Sequence, residues 1–137
     1  MRWVETDLRV RFSECDPMGV VHHSNYFVWF EIGRLVLAKE AFIDVAAMAK
    51  TQVYMPVIDC RCEFREPARF DDQILLRTAL LPPQAARLEF EYQVLRKKGH
   101  VLLAKGRTVH AVTVPERGML FRLPPEFMQK IEVFLAG

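Results

Sequence analysis

Cysteine is scarce. Three residues, Cys15, Cys60 and Cys62, are too few and odd in number to staple a small domain, so the fold must rest on a packed core. Charge of one sign is missing as well: 19 basic and 17 acidic residues leave a formal net charge of +2. That balance is too even to argue for nucleic acid, which usually needs a clearly basic domain or stripe, but a few converging cations could still hold a small polyanion. No apolar run approaches the length that spans a bilayer. The start, Met1-Arg2-Trp3-Val4-Glu5-Thr6-Asp7, has no secretory apolar stretch. Repeats, low-complexity segments and linkers are absent too. These absences predict one domain over residues 1–137 in a reducing cytoplasm, with neither membrane nor nucleic acid as partner.

What is present is a core's worth of apolar residues, 51% of 137, patterned in two periods. Leu8, Val10 and Phe12 alternate with arginines, as in a half-buried strand. Pro17 and Gly19 mark a turn, and Ser24 or Asn25 is the expected cap of a helix. From Tyr26 to Lys39 apolar side chains cover most of the helical circumference, which predicts burial on most sides. A second helix is expected over 41–50. The period then changes to two: 58–64, 74–80, 88–94 and a long run from Val101 to about Val114 read as strands, with a hairpin at Lys98-Gly99-His100. Residues 115–119 should turn, and Leu120–Leu123 should extend a strand. Pro124-Pro125 opens a last helix with Phe127, Ile131 and Phe134 on one face. Consecutive strands joined by short turns pair antiparallel, and their apolar face needs a cover. The expected fold is α+β, an antiparallel sheet wrapped around a central buried helix.

Chemistry concentrates between Arg9 and Tyr26. A strand ends, a tight turn presents Asp16, and a short segment feeds the apolar helix. The first N–H groups of a helix are unpaired and carry partial positive charge, so a carbonyl placed there is polarised. A carboxylate opposite could attack it or activate water. Spacing alone does not show that the two face each other, and Asp before Pro is also an ordinary turn residue.

This run resembles the 4-hydroxybenzoyl-CoA thioesterase family of hot-dog enzymes through Phe12, Asp16, Gly19, Val20, Val21, Asn25, Tyr26 and Glu31. The strand from Pro56 to Phe64, the Ala68-Arg69-Phe70-Asp71-Asp72 turn and the Val101–Val114 strand extend the likeness. The resemblance implies a hot-dog fold and hydrolysis of an aromatic or short-chain acyl-CoA thioester. Asp16 would be nucleophile or general base, and the backbone N–H of His23 would hold the thioester oxygen. Tyr26 and Glu31 would contact substrate. Phe12, where short-chain relatives often carry Tyr, leans the reading toward aromatic acyl groups. Homodimers or homotetramers with interfacial sites are implied. The family's basic cluster for the coenzyme A phosphates is reduced here to Arg87, so those contacts are expected from Arg61, Arg65, Lys97, Lys98 or Arg107. The alternative on the same fold is a non-catalytic acyl-CoA or acyl-carrier binding module.

Blander roles stand beside these. Glu31 could simply pair with Arg34 one turn on, and Tyr26 and Trp29 could be core. Cys15 invites a Cys–His nucleophile, but adjacent residues on an extended segment point apart. No metal or cofactor is expected: His22 and His23 are adjacent, finger-like spacing is absent, and Cys60 and Cys62 should both face the core.

Overall fold

The computed structural model describes residues 1–50, 52–116, 118–119 and 122–137. Five strands form one antiparallel sheet: β1 (Trp3–Arg9), β2 (Val57–Phe64), β3 (Gln73–Leu80), β4 (Leu88–Arg96) and β5 (Val101–His110), in spatial order β1-β3-β4-β5-β2. Helix α1 (Ser24–Glu40) lies on its inner face, followed by the short α2 (Val45–Lys50). A ribbon of β6 (Thr113–Val114) and β7 (Gly118–Met119) precedes α3 (Pro125–Ala136). The expected architecture is therefore found.

The helix seats closely because two glycines, Gly33 on the helix and Gly106 on the sheet, remove side chains from the contact. Phe30 is fully buried over Gly106 of β5, where any Cβ would collide with its ring. The same ring stacks on Tyr92 of β4 at 4.2 Å between centroids. Gly33 rests against Thr78 and Leu76 of β3. Tyr26, Trp29 and Leu37 complete the buried side. Burying one such aromatic side chain contributes roughly 1.5–3 kcal/mol.

Several expectations need correction. β2 pairs with β5 and not with β3, because β1 pairs with β3 over seven positions and occupies that flank. As an edge strand that α1 covers only in part, through Tyr26 against Phe64, β2 leaves Val57, Ile58 and Phe64 exposed. Cys60 is exposed and Cys62 half-buried, so they do not both face the core. The first strand begins earlier than expected and stops at Arg9; Phe12 opens a 3-10 turn and is 77% exposed. Helix α1 is not buried on most sides: Val28, Ile32 and Leu35 form an exposed stripe at i, i+4 and i+7. Its cap is His23, with no side-chain bond to the helix. Ser24 and Asn25 serve the preceding loop instead.

The second helix is shortened to α2 because Phe42 adopts φ 59°, and Asp44 Oδ1 accepts the Ala47 N–H at 3.1 Å. The long last strand divides after His110, where residues 111–113 bond to residues 54–56. Gly118 and Met119, expected in a turn, pair with Val114 and Thr113. Of the expected strand over Leu120–Leu123, residues 120 and 121 lie outside the described residues, while Arg122 sits in a bend and Leu123 is buried. In β4 the alternation holds, with Leu88, Phe90, Tyr92 and Val94 buried and Glu89 and Glu91 outward. In α3, Phe127, Ile131 and Phe134 are buried. Among the described residues no helix is long and apolar enough to cross a membrane.

Candidate active site

The Asp16 turn is closed by its own chemistry. Asp16 C=O accepts the Gly19 N–H at 2.9 Å, and its N–H donates to Val20 C=O at 2.8 Å. Pro17 supplies the fixed φ of the second turn position, and Gly19 takes φ 80°. Asp16 Oδ1 accepts the Met18 N–H at 2.9 Å. The half-buried carboxylate is thus held in its loop by one oxygen, and among the described residues Oδ2 has no partner.

A second set of bonds clamps this loop to the start of α1. Glu14 is 4% exposed. Its Oε1 accepts the Arg11 N–H at 2.8 Å, and its Oε2 accepts the Trp29 indole N–H at 2.9 Å. The Glu14 carbonyl accepts from His22 N–H at 2.8 Å and from Asn25 Nδ2 at 3.0 Å. Cys15 and Val21 form an antiparallel bridge. A buried carboxylate is tolerated because two N–H groups and the Arg11 guanidinium, 3.6 Å away, satisfy it. Glu14 was not among the sequence-derived candidates. Its faint signal is the three-residue spacing from Arg11, whereas its main partner, Trp29, is 15 positions away and across a turn.

At the helix start the His23 N–H has no partner among the described residues, and the His23 side chain is exposed. It borders a crevice of about 260 Å³ lined by Val21, His23, Tyr26, Phe64, Arg65 and Glu66, among others. Tyr26 is a wall of this crevice and a core residue at once. Its hydroxyl accepts the Ala68 N–H at 3.3 Å, its ring meets Trp29 and Phe64, and burial raises its pKa. Asp16 does not line the crevice within one chain. Phe12 and Phe70, both exposed, meet edge-to-face at 5.5 Å near the Asp16 loop.

Glu31 is elsewhere. It is exposed, two turns along α1, and lines a different cavity. The alternative pairing with Arg34 is not made among the described residues; Arg34 instead donates to the Tyr92 hydroxyl at 3.2 Å. Cys15 points its thiol toward the Arg11 carbonyl at 3.8 Å, inside its own loop. His22 Nδ1 bonds to Ser24 Oγ at 2.8 Å. Among the candidate phosphate contacts, Arg61 pairs with Asp59, Lys97 with Asp7, and Arg107 with Glu89. Arg65 pairs with Glu63 and lines the crevice.

A helix laid across a five-stranded antiparallel sheet is the hot-dog architecture of the thioesterases, a class of thioester hydrolases. The chain belongs to the thioesterase-like superfamily, whose family model matches residues 10–131. A hypothetical protein from Thermus thermophilus is 35% identical, with a TM-score of 0.88 over 97% of this chain and 98% of that one. A 1,4-dihydroxy-2-naphthoyl (DHNA)-CoA thioesterase from Staphylococcus aureus shares the fold with a TM-score of 0.91 at 24% identity, over 99% and 93% of the two chains. The acyl-CoA thioester hydrolase YbgC of Escherichia coli O157:H7 is 25% identical over 101 residues, 74% of this chain and 73% of its own.

Proposed function

We propose that this protein hydrolyses an aromatic or short-chain acyl-CoA thioester to the free acid and coenzyme A. The observation that carries the reading is the loop–helix clamp. It holds two uncommitted groups, Asp16 Oδ2 and the His23 N–H, on one rigid junction. In this reading the His23 N–H, at the positive end of α1, stabilises the thioester oxygen as it becomes anionic. Asp16 either attacks the carbonyl carbon, expelling the coenzyme A thiolate and leaving a mixed anhydride for water to cleave, or takes a proton from the attacking water. Tyr26 would wall the site, while Phe12 and Phe70 offer rings to an aromatic acyl group.

The crevice lies beside Phe64 at the end of edge strand β2, and Asp16 is not on its wall. The open edge, with Val57, Ile58 and Phe64, and the stripe Val28, Ile32 and Leu35 support a homodimer or homotetramer in which a second copy completes the site. Arg65, at the crevice, is the first choice for a phosphate contact. Glu31, if it meets substrate, would do so along the exposed stripe rather than at the helix start.

The test is Asp16→Asn, assayed against benzoyl, hydroxybenzoyl, phenylacetyl and short aliphatic CoA esters. A loss of at least about 10²-fold in kcat with an unchanged fold is expected for a nucleophile or base. Turnover within a few-fold of wild type removes Asp16 from the chemistry. After a single turnover in labelled water, label in the Asp16 carboxylate would establish the anhydride route with water attacking the Asp16 carbonyl.

A further inference from the structure

The other end of α1 covers a cavity that the Asp16 loop and the His23 N–H do not touch. It measures about 250 Å³ and lies between α1, α2, α3 and the ends of β3, β4 and β5. Much of its wall is buried and apolar, including Leu37, Ile43, Leu80, Leu88, Phe90 and Ile131. Two basic side chains, Arg34 and His110, break that wall.

These two are the ends of one hydrogen-bonded chain. Arg34 Nη1 donates to Tyr92 Oη at 3.2 Å, Tyr92 Oη lies 2.6 Å from Thr108 Oγ1, and Thr108 Oγ1 lies 3.0 Å from His110 Nε2. His110 Nδ1 lies 3.0 Å from the Met55 carbonyl. A carbonyl only accepts, so the Nδ1 proton is in place there. With neutral His110, Nε2 accepts from Thr108, Thr108 accepts from Tyr92, and Tyr92 accepts from Arg34. Every donor and acceptor of the chain is then used in one direction, and His110 adds no charge to the cavity.

Arg34 is the exception. It is half-buried, its side chain makes that one hydrogen bond, and among the described residues it has no ion pair. Glu31, on the same cavity wall, is not within ion-pair distance. A guanidinium partly withdrawn from water and lacking a counter-ion is costly. Its planar fork matches the two oxygens of a carboxylate. A dry apolar cavity of roughly 150 Å³ takes benzene. This one therefore has space for a ring or short chain and a polar head.

We propose that the cavity binds a small apolar carboxylic acid, with its carboxylate on the Arg34 guanidinium and its tail against Leu88, Phe90 and Ile131. This does not depend on Asp16 or the His23 N–H, neither of which borders the cavity, although Glu31, a candidate substrate contact, lies on its wall.

The test titrates octanoate and phenylpropionate, with octanol as the uncharged control, into the full-length protein by calorimetry, alongside thermal unfolding. Both acids should bind and raise Tm, and octanoate should bind about ten-fold tighter than octanol, the weight of one charge-assisted hydrogen bond. Arg34→Gln should erase that preference. Ala38→Leu, which projects a larger side chain into the cavity, should weaken acids and alcohol together. Equal binding of octanoate and octanol by the wild type, no binding of either acid, or unchanged octanoate affinity in a folded Arg34→Gln overturns the proposal. Should Arg34→Gln not fold, the wild-type comparison and Ala38→Leu decide it.

Discussion

The indole N–H of Trp29 donates to Glu14 Oε2 at 2.9 Å in the buried interior, while the other oxygen of the same carboxylate takes the Arg11 N–H at 2.8 Å. One side chain thereby joins the Asp16 loop to the second turn of α1. The bond is specific to an acceptor on both sides. An amide would turn its NH₂ toward one of the two N–H groups.

Glu14→Gln should for that reason destabilise the protein by about 1–3 kcal/mol, the cost of an unsatisfied buried donor. Denaturant unfolding measures this. Because the loop carries Asp16, kcat should fall more than the loss of folded protein explains. A Glu14→Gln variant as stable and active as wild type would mean the clamp is dispensable.

The contact between Phe30 and Gly106 makes the opposite kind of demand, for an absence. Gly106→Ala places a methyl group against the Phe30 ring, and overpacking of this sort costs about 1–3 kcal/mol. A smaller side chain relieves it: Phe30→Leu alone should destabilise, but the double variant should lose less than the sum of the two singles. A double-mutant cycle by thermal unfolding reads the coupling. Additive effects would place the two residues out of contact.

His110 should give stability a pH dependence on the acid side of neutrality. Burial, with the Arg34 charge acting in the same direction, holds its pKa below the ordinary 6.5 against the opposing bond to Met55. The unfolded chain then binds more protons than the folded one between the two values. Stability is full above 6.5 and falls as pH drops toward the folded value. The denaturation midpoint against pH should show this slope in wild type and less of it in His110→Gln. Identical slopes would assign the dependence to other groups.

The two cysteines of β2 should differ in reactivity. Cys60 is exposed, whereas burial pushes the Cys62 thiol up to about 12, so that it stays protonated near neutral pH. Brief alkylation of the native protein followed by peptide mass mapping should find Cys60 labelled and Cys62 unlabelled. Equal labelling would show that the edge of β2 opens in solution.

Local rules sufficed for much of the molecule. The alternation of Leu88, Phe90, Tyr92 and Val94, the face of Phe127, Ile131 and Phe134, and the turn chemistry of Asp16, Pro17 and Gly19 are encoded within a few residues, where period and turn preference act directly. They were sufficient for an antiparallel sheet with a helix across it. Three things were decided only by the assembled fold, because each depends on partners far along the chain. Which flank of the sheet β2 occupies depended on β1 pairing with β3, and that exposed Cys60 and Phe64. Which charged residues are buried depended on Glu14 meeting Trp29, 15 positions on, whereas Glu31 within the apolar helix faces outward. And the chain from Arg34 through Tyr92 and Thr108 to His110 exists because α1, β4 and β5 cross at one point, a coincidence in space that no periodicity records.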